Sequence, residues 1–230
     1  MKTKTTSAFT LIEMLVVIAI IAVLAAFAVP ALTSALTKGQ MTGTVNNTRQ
    51  FYLAGYQMAL DGSTNSDPNL TWPGNDANAA TLTLAQYCEK LVQNDYLKPG
   101  DLQKLLNAPG TSCAVTSATA GTPPVTTITL AGAAALKVFK VKDNDSSNTI
   151  FAETANYTYN DKMDATKSPF GDKGFVVQRK GGDASILRKN NVKATTGSEA
   201  TFQSTTGKQT GDADGTVTTE AAANILTPPT

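Results

Sequence analysis

Residues 8–36 read AFTLIEMLVVIAIIAVLAAFAVPALTSAL, an apolar run whose single charged residue, Glu13, lies near its start. Residues 14–37 carry no charge, and two lysines, Lys2 and Lys4, precede the run. At about 1.5 Å per residue, such a segment reaches across most of a bilayer as a helix. A carboxylate at the edge of a membrane segment is unfavourable unless it has a partner, so Glu13 requires an explanation.

Two general interpretations of this segment leave Glu13 unexplained. The first is a cleaved signal peptide, with Ala26-Phe27-Ala28 as the small-residue cleavage site. The second is a plain membrane anchor whose lysines stay on the cytoplasmic side. Either one would make the chain a simple exported or membrane-anchored binding protein.

A third interpretation gives Glu13 a partner. The stretch AFTLIE at residues 8–13, followed by an apolar helix interrupted by Pro30, resembles the cleavage and methylation motif of type IV pilins and pseudopilins. The resemblance is specific over residues 2–36 and fades afterwards.

This resemblance implies how the N-terminus is processed. A prepilin peptidase would remove the basic leader, residues 1–8, by cutting between Ala8 and Phe9, and Phe9 would then be N-methylated. Ala8 stands where the family usually has glycine. After the cut, Glu13 is the fifth residue and Pro30 the twenty-second, which are the family's positions.

The resemblance also implies partners and a location. Glu13 would pair with the terminal amine of Phe9 on a neighbouring subunit, so that two charges costly in lipid compensate each other in a homo-oligomeric filament. The chain would be a subunit of that filament, held in the bacterial inner membrane with its head in the periplasm. The apolar segment favours a pseudopilin of a type II secretion system, served by an assembly ATPase and inner-membrane platform proteins. The alternative is a pilus subunit for adhesion, twitching or DNA uptake, located at the cell surface.

The residues after Pro30 predict that the helix continues. One helix is expected over residues 9–60, bent at Pro30, with a membrane and assembly segment at 9–36 and an amphipathic half at 37–60. The predicted core stripe of the second half consists of Met41, Val45, Tyr52, Tyr56 and Leu60. Gly39, Gly43 and Gly55 are expected to weaken this half.

Residues 61–191 predict a globular head of α+β class, in which an antiparallel sheet packs on the amphipathic half of the long helix. A second helix is expected over residues 81–97, capped by Thr83 and closed by Lys98-Pro99-Gly100, with a short helical turn at 101–106. The predicted strands are residues 125–131, 135–141, 149–154, 174–179 and 185–189, the last two forming a hairpin.

Residues 192–230 are rich in Thr, Gly and Ala and predict either a flexible tail or a loosely packed cover, anchored by Phe202 and Ile225-Leu226. Cys88 and Cys113 predict one disulfide, because the head would lie in an oxidising compartment.

The composition argues against catalysis. The chain of 230 residues contains no histidine, so it has no Ser-His or Cys-His nucleophile system, and it has no phosphate-binding loop. A net charge of +1 without a basic stripe predicts no nucleic-acid contact. We expect no enzyme activity and no cofactor. The only candidate metal ligands are two fragments of calcium loops, Asp143/Asp145 and Asp212/Asp214 with Gly215, for which solvated turns are the favoured interpretation.

Overall fold

A computed structural model of the protein describes residues 10–192 and 199–229. The chain divides into two compact units, Met1–Gly39 and Gln40–Thr230. Helix α1, Leu11–Asn65, supplies residues to both units. The predicted long helix is therefore confirmed over its described part, and it extends beyond the predicted end at residue 60. Helical backbone is continuous at Gly39 and Pro30, while a bend at Pro30 stays a prediction.

The buried face of α1 in the second unit differs from the predicted stripe. Met41 and Tyr52 are buried as predicted and Val45 is half-buried, but Tyr56 and Leu60 are 45% and 46% exposed. The prediction was wrong for these two residues. The buried face consists of Met41, Thr44, Thr48, Phe51, Tyr52, Ala54, Gly55, Met58, Ala59 and Gly62.

Small residues explain this rotation of the buried face, because they let other elements approach the helix backbone closely. A Cβ atom added at Gly55 would lie 2.3 Å from Oη of the buried Tyr87. At Gly62 it would overlap the backbone carbonyl of Leu70. Gly55 thus serves close packing, although its intrinsic effect is to weaken the helix.

Helix α2, Leu84–Gln93, begins at a capping box. The amide of Gln86 donates to Thr83 Oγ1 at 3.2 Å, and the amide of Thr83 donates to Gln86 Oε1 at 3.0 Å. The predicted Thr83 cap is therefore confirmed. Pro99, predicted to close this helix, instead lies at the start of helix α3, Pro99–Leu105, where its missing N–H loses no bond.

A four-stranded antiparallel sheet forms the centre of the second unit. Its order is β3-β4-β5-β6, and its strands are Leu136–Val138, Ile150–Thr154, Phe175–Arg179 and Ala184–Leu187. All four were predicted, including the β5–β6 hairpin. Phe51 and Tyr52 of α1 pack on Phe151 of β4, with ring centroids 6.1 and 5.4 Å apart, so the α+β class is confirmed.

A second, two-stranded sheet was predicted only in part. Strand β2, Val125–Ala133, covers the predicted residues 125–131, but its antiparallel partner β1, Ser112–Ala120, was not predicted. Most of β1 is exposed Ser, Thr and Ala, so it lacks the apolar alternation that indicates a strand. Side chains beside the sheet bind its outer edges: Asn107 Oδ1, in the loop after α3, accepts from the Cys113 amide at 2.7 Å, and Glu89 Oε2 of α2 accepts from the Ile128 amide at 3.0 Å.

The C-terminal segment forms a close cover over the sheet rather than a flexible tail. Helix α4, Glu199–Thr205, opens its described part, and residues 193–198 lie outside the described residues. The predicted anchors Phe202 and Leu226 are buried, and Ile225 is partly buried. Main-chain hydrogen bonds join the cover to the sheet: the Ile150 amide donates to Lys208 O at 2.8 Å, and the Leu226 amide donates to Val138 O at 2.8 Å.

A buried glutamine stabilises this cover from inside. Gln209 is fully buried, and its Oε1 accepts from the Ala221 amide at 3.0 Å while its Nε2 donates to Thr219 O at 2.8 Å. Polar bonds of this kind replace the apolar contacts that the composition lacks. The cover is therefore packed more closely than its sequence predicts.

Candidate functional site

Helix α1 begins at a second capping box, formed by Thr10 and Glu13. Oε2 of Glu13 accepts from the Thr10 amide at 2.8 Å and from Thr10 Oγ1 at 2.7 Å, and the Glu13 amide donates back to Thr10 Oγ1 at 3.3 Å. A helix start leaves backbone amides without partners, and this arrangement satisfies two of them. Among the described residues no donor contacts Oε1 of Glu13, so one carboxylate oxygen stays open to another partner.

The apolar part of α1 is uncovered. All side chains of residues 10–36 are exposed, including Leu11 at 84% and Phe27 at 77%. Among the described residues, α1 is the one helix long and apolar enough to cross a membrane, judged by length and composition. A run of large apolar side chains this long is unfavourable in water, so lipid or other apolar helices must cover it.

Pro30 lies within this exposed segment. Its ring has no N–H, so the carbonyl one turn earlier lacks its usual helical donor. The Thr33 hydroxyl donates to the Pro30 carbonyl at 3.0 Å, and the Thr37 hydroxyl donates to the Thr33 carbonyl at 2.9 Å. Threonine hydroxyls thus bind helix carbonyls internally, which keeps their polar groups satisfied in an apolar environment.

A family model, the prokaryotic N-terminal methylation motif, matches residues 3–29. The chain carries the prepilin-type signature of type IV pilins and pseudopilins. No curated protein matches the chain. No solved structure matches it either.

The prepilin-type signature and the exposed apolar helix together indicate a general role. The signature supports a structural subunit of the type IV pilin or pseudopilin kind, and the apolar helix fits a membrane-anchored, exported protein. Such a subunit is processed by a prepilin peptidase and assembled into a filament. Ala8 and Phe9, the predicted cleavage and methylation residues, lie within the matched range but outside the described residues.

The predicted disulfide between Cys88 and Cys113 is not formed. Both residues are free thiols and both are fully buried in the core, where burial raises the pKa of each thiol. The loop before β1 is held by amide side chains instead: Nε2 of Gln103 and Nδ2 of Asn107 both donate to the Cys113 carbonyl at 2.8 Å. The two cysteines therefore pack as small apolar side chains. The hydrogen bonds from Gln103 and Asn107, rather than a disulfide, hold the backbone at Cys113.

Four acidic residues were considered as fragments of calcium loops: Asp143, Asp145, Asp212 and Asp214. The carboxylates of the last three bind other partners. Asp145 Oδ2 accepts from Thr210 Oγ1 at 2.7 Å, and Asp214 Oδ1 forms an ion pair with Lys208 at 2.7 Å. Within the described ranges, no group of three or more His, Cys, Asp or Glu residues is arranged to hold a metal ion.

A buried charge cluster was missed by sequence reasoning. Lys137 of β3 lies opposite Glu153 of β4, and its Nζ is 2.7 Å from Glu153 Oε1 and 2.5 Å from Glu220 Oε2. Glu220 also accepts from the Tyr159 amide at 2.9 Å, so the cluster ties the C-terminal cover to the sheet. One signal could have revealed it, because Lys137 and Glu153 are charged residues within otherwise apolar stretches of neighbouring strands.

Burial sets the protonation of this cluster. Complete burial raises the pKa of Glu153 to about 8, against the opposing effect of Lys137. Burial alone would lower the pKa of Lys137, but the two carboxylates outweigh it and the pKa is raised. The raised pKa of Glu153 favours its protonated form beside the ion pair between Lys137 and Glu220.

Proposed function

We propose that the chain is a pseudopilin that assembles through α1 into a periplasmic filament of a type II secretion machine. Cleavage between Ala8 and Phe9 and N-methylation of Phe9 belong to this proposal, as do an assembly ATPase and inner-membrane platform proteins as partners. The observation that carries it is the exposed apolar segment of α1, with the Glu13 carboxylate at its N-terminal edge.

The geometry at Glu13 supports an intermolecular partner. Thr10 occupies only Oε2, and Thr10 remains in the chain after a cut before Phe9, so the capping box survives processing. The new amine of Phe9 is a cation placed at the same end of the helix. Pairing it with Oε1 of a neighbour's Glu13 would compensate two charges that are each costly near lipid. Each subunit supplies one amine and one carboxylate, so the joint can repeat along a filament.

The decisive experiment compares Glu13→Gln with Thr10→Ala. Glutamine is accepted in capping boxes, so Glu13→Gln keeps the cap but deletes the charge. Thr10→Ala removes the hydroxyl from the cap but keeps the charge. We expect both proteins to be processed, with the mature chain starting at N-methylated Phe9 by intact-mass measurement. Glu13→Gln should accumulate as membrane-inserted monomer, because an unpaired amine costs a few kcal/mol, on the order of membrane-insertion values, at every joint.

Thr10→Ala serves as the matched control and should still form filaments visible by electron microscopy. Normal filaments from Glu13→Gln would show that the charge of Glu13 is not needed for assembly. Equal loss in both variants would instead assign Glu13 to helix capping alone. A wild-type chain that starts at Val29, after the Ala26-Phe27-Ala28 site, would refute processing at Ala8.

The assignment to secretion is tested separately from assembly. Deletion of the gene should abolish export of the secreted substrates without loss of surface fibres or twitching. The neighbouring genes should include a secretion ATPase without a retraction ATPase. The opposite pattern would make the chain a pilus subunit.

A further inference from the structure

A cavity of about 240 Å³ opens in the second unit where the end of the β3 region meets the C-terminal cover. Its lining includes Gly74, Ala80, Lys140, Lys142, Gly211 and Asn224. Two of these side chains are cationic. Lys142 is exposed, whereas Lys140 is only 7% exposed.

Lys140 is an unusual buried cation. Its Nζ donates to the Ala80 carbonyl at 3.1 Å, and this is the one hydrogen bond found for its ammonium within the described ranges. None of the ion pairs found among those residues includes Lys140. An ammonium carries three donors, and buried lysines are normally paired with an anion. Among the described residues, Lys140 therefore has donors to spare and no ion-pair partner.

The backbone fixes both lysines at the cavity. The amide of Lys140 donates to Asn224 O at 2.7 Å, and the amide of Gly74 donates to Val141 O at 2.8 Å. A Cβ atom at Gly74 would lie 2.7 Å from Cγ of Lys142, so only glycine permits this approach. The positions of Lys140 and Lys142 are thus set by the fold.

Asp145, whose carboxylate contacts two residues of the cavity lining, is already bound. Oδ2 of Asp145 accepts from the Lys142 amide at 2.7 Å and from the hydroxyl of Thr210, which lines the cavity, at 2.7 Å. The Asp145 carboxylate thus stabilises the turn at residues 142–145. Gly211 also lines the cavity, with a φ of +83°, and a Cβ atom there would meet nothing within 4 Å, so the lining is open at this residue.

We propose that this cavity binds a small oxyanion, a carboxylate or a phosphate, between Lys140 and Lys142. Such a ligand would supply the missing counter-charge to Lys140 and accept hydrogen bonds from its free N–H groups. Cations are disfavoured by the two lysines, and a purely apolar ligand would leave Lys140 unpaired. The site goes beyond the filament role, because it lies in the head and does not depend on Glu13.

The test measures thermal unfolding of the full chain in neutral detergent, followed by the fluorescence of Trp72, the single tryptophan. Phosphate and acetate are titrated separately at constant ionic strength and neutral pH. With the ligand at about tenfold above its Kd, the midpoint should rise by about 3–6 °C. Phosphate also stabilises proteins non-specifically through exclusion from their surface, so variants must separate the two effects.

Lys140→Met and Lys142→Glu should both lose the anion-dependent increase. Lys140→Met removes an unpaired buried charge, so its midpoint without phosphate should equal or exceed that of wild type. Lys142→Glu changes an exposed side chain and provides a second test if Lys140→Met does not fold. Lys162→Gln removes an exposed lysine that does not line the cavity, and it should keep the full increase. An increase of equal size in all four proteins, for both anions, would overturn the proposal.

Discussion

Gly55→Ala tests whether α1 is packed in the register that the structure shows. In an open helix, replacing glycine by alanine stabilises by about 1 kcal/mol. At Gly55 the same gain is opposed, because the new Cβ would lie 2.3 Å from Tyr87 Oη, far inside van der Waals contact. Overpacking of a core costs about 1–3 kcal/mol. We expect Gly55→Ala to lower the free energy of unfolding by up to about 2 kcal/mol after the helix gain is subtracted.

The chain offers a matched control and a rescue. Gly43 lies in the same helix, and a Cβ atom there would meet nothing within 4 Å, so Gly43→Ala should stabilise. The hydroxyl of Tyr87 is buried and has no hydrogen-bond partner among the described residues, so Tyr87→Phe alone should be neutral or stabilising by up to about 1 kcal/mol. Without that oxygen, the nearest ring atoms lie 3.6 Å from the Cβ atom, an ordinary contact.

Gly55→Ala combined with Tyr87→Phe should therefore regain stability, with a coupling energy of about 2 kcal/mol in the double-mutant cycle. Urea unfolding of the full chain in neutral detergent, followed by Trp72 fluorescence, measures all four proteins. If Gly55→Ala stabilises as much as Gly43→Ala, or if Tyr87→Phe gives no rescue, the close approach of these two residues is refuted.

Three further predictions follow from the core. Because burial raises the pKa of Glu153 to about 8 in the folded chain, stability should fall as pH rises from about 4.5, its ordinary pKa, towards 8. In thermal melts, Glu153→Gln should flatten this slope. The chain contains no histidine, so histidine titration cannot produce the same slope. Cys88 and Cys113 should titrate as two thiols after unfolding without reductant and as none when folded, while fewer than two after unfolding would restore the disulfide. Gln209→Ala should lower the free energy of unfolding in urea by about 1–3 kcal/mol, whereas Gln57→Ala, at an exposed position, should be close to neutral. Equal effects of the two changes would show that the buried hydrogen bonds of Gln209 do not stabilise the cover.

Sequence reasoning located the elements of the fold better than the faces they bury. Helix α1 was predicted because its apolar and helix-forming residues extend over many turns. Its core stripe was misplaced at Tyr56 and Leu60, because large apolar residues were taken as buried. The structure instead buries small residues such as Gly55, which lets Tyr87 of α2 and Phe151 of β4 approach the helix backbone. Volume complementarity of this kind involves residues distant in sequence, which periodicity does not detect.

The polar parts of the head were the least predictable. Strand β1 and the C-terminal cover contain few large apolar residues, so neither produced a strand or core signal. Both are held by amide side chains, such as Asn107 at β1 and Gln209 in the cover. A hydrogen bond of this kind depends on the position of both partners, and the sequence names only the donor and acceptor types.

The assembly role of Glu13 stays a prediction from sequence, and the structure adds a local contact that the sequence did not predict. The prediction treated the carboxylate as unsatisfied in the isolated subunit, whereas Thr10 binds one of its oxygens. A cap explains an acceptor at this position, but a neutral glutamine would serve equally well. A full negative charge beside an exposed apolar segment brings a further cost in lipid, and only a cation can offset it. Thr10 is neutral, so the cap accounts for the hydrogen bonds of Glu13 but not for its charge, and the proposed pairing with the amine of another subunit would match that charge.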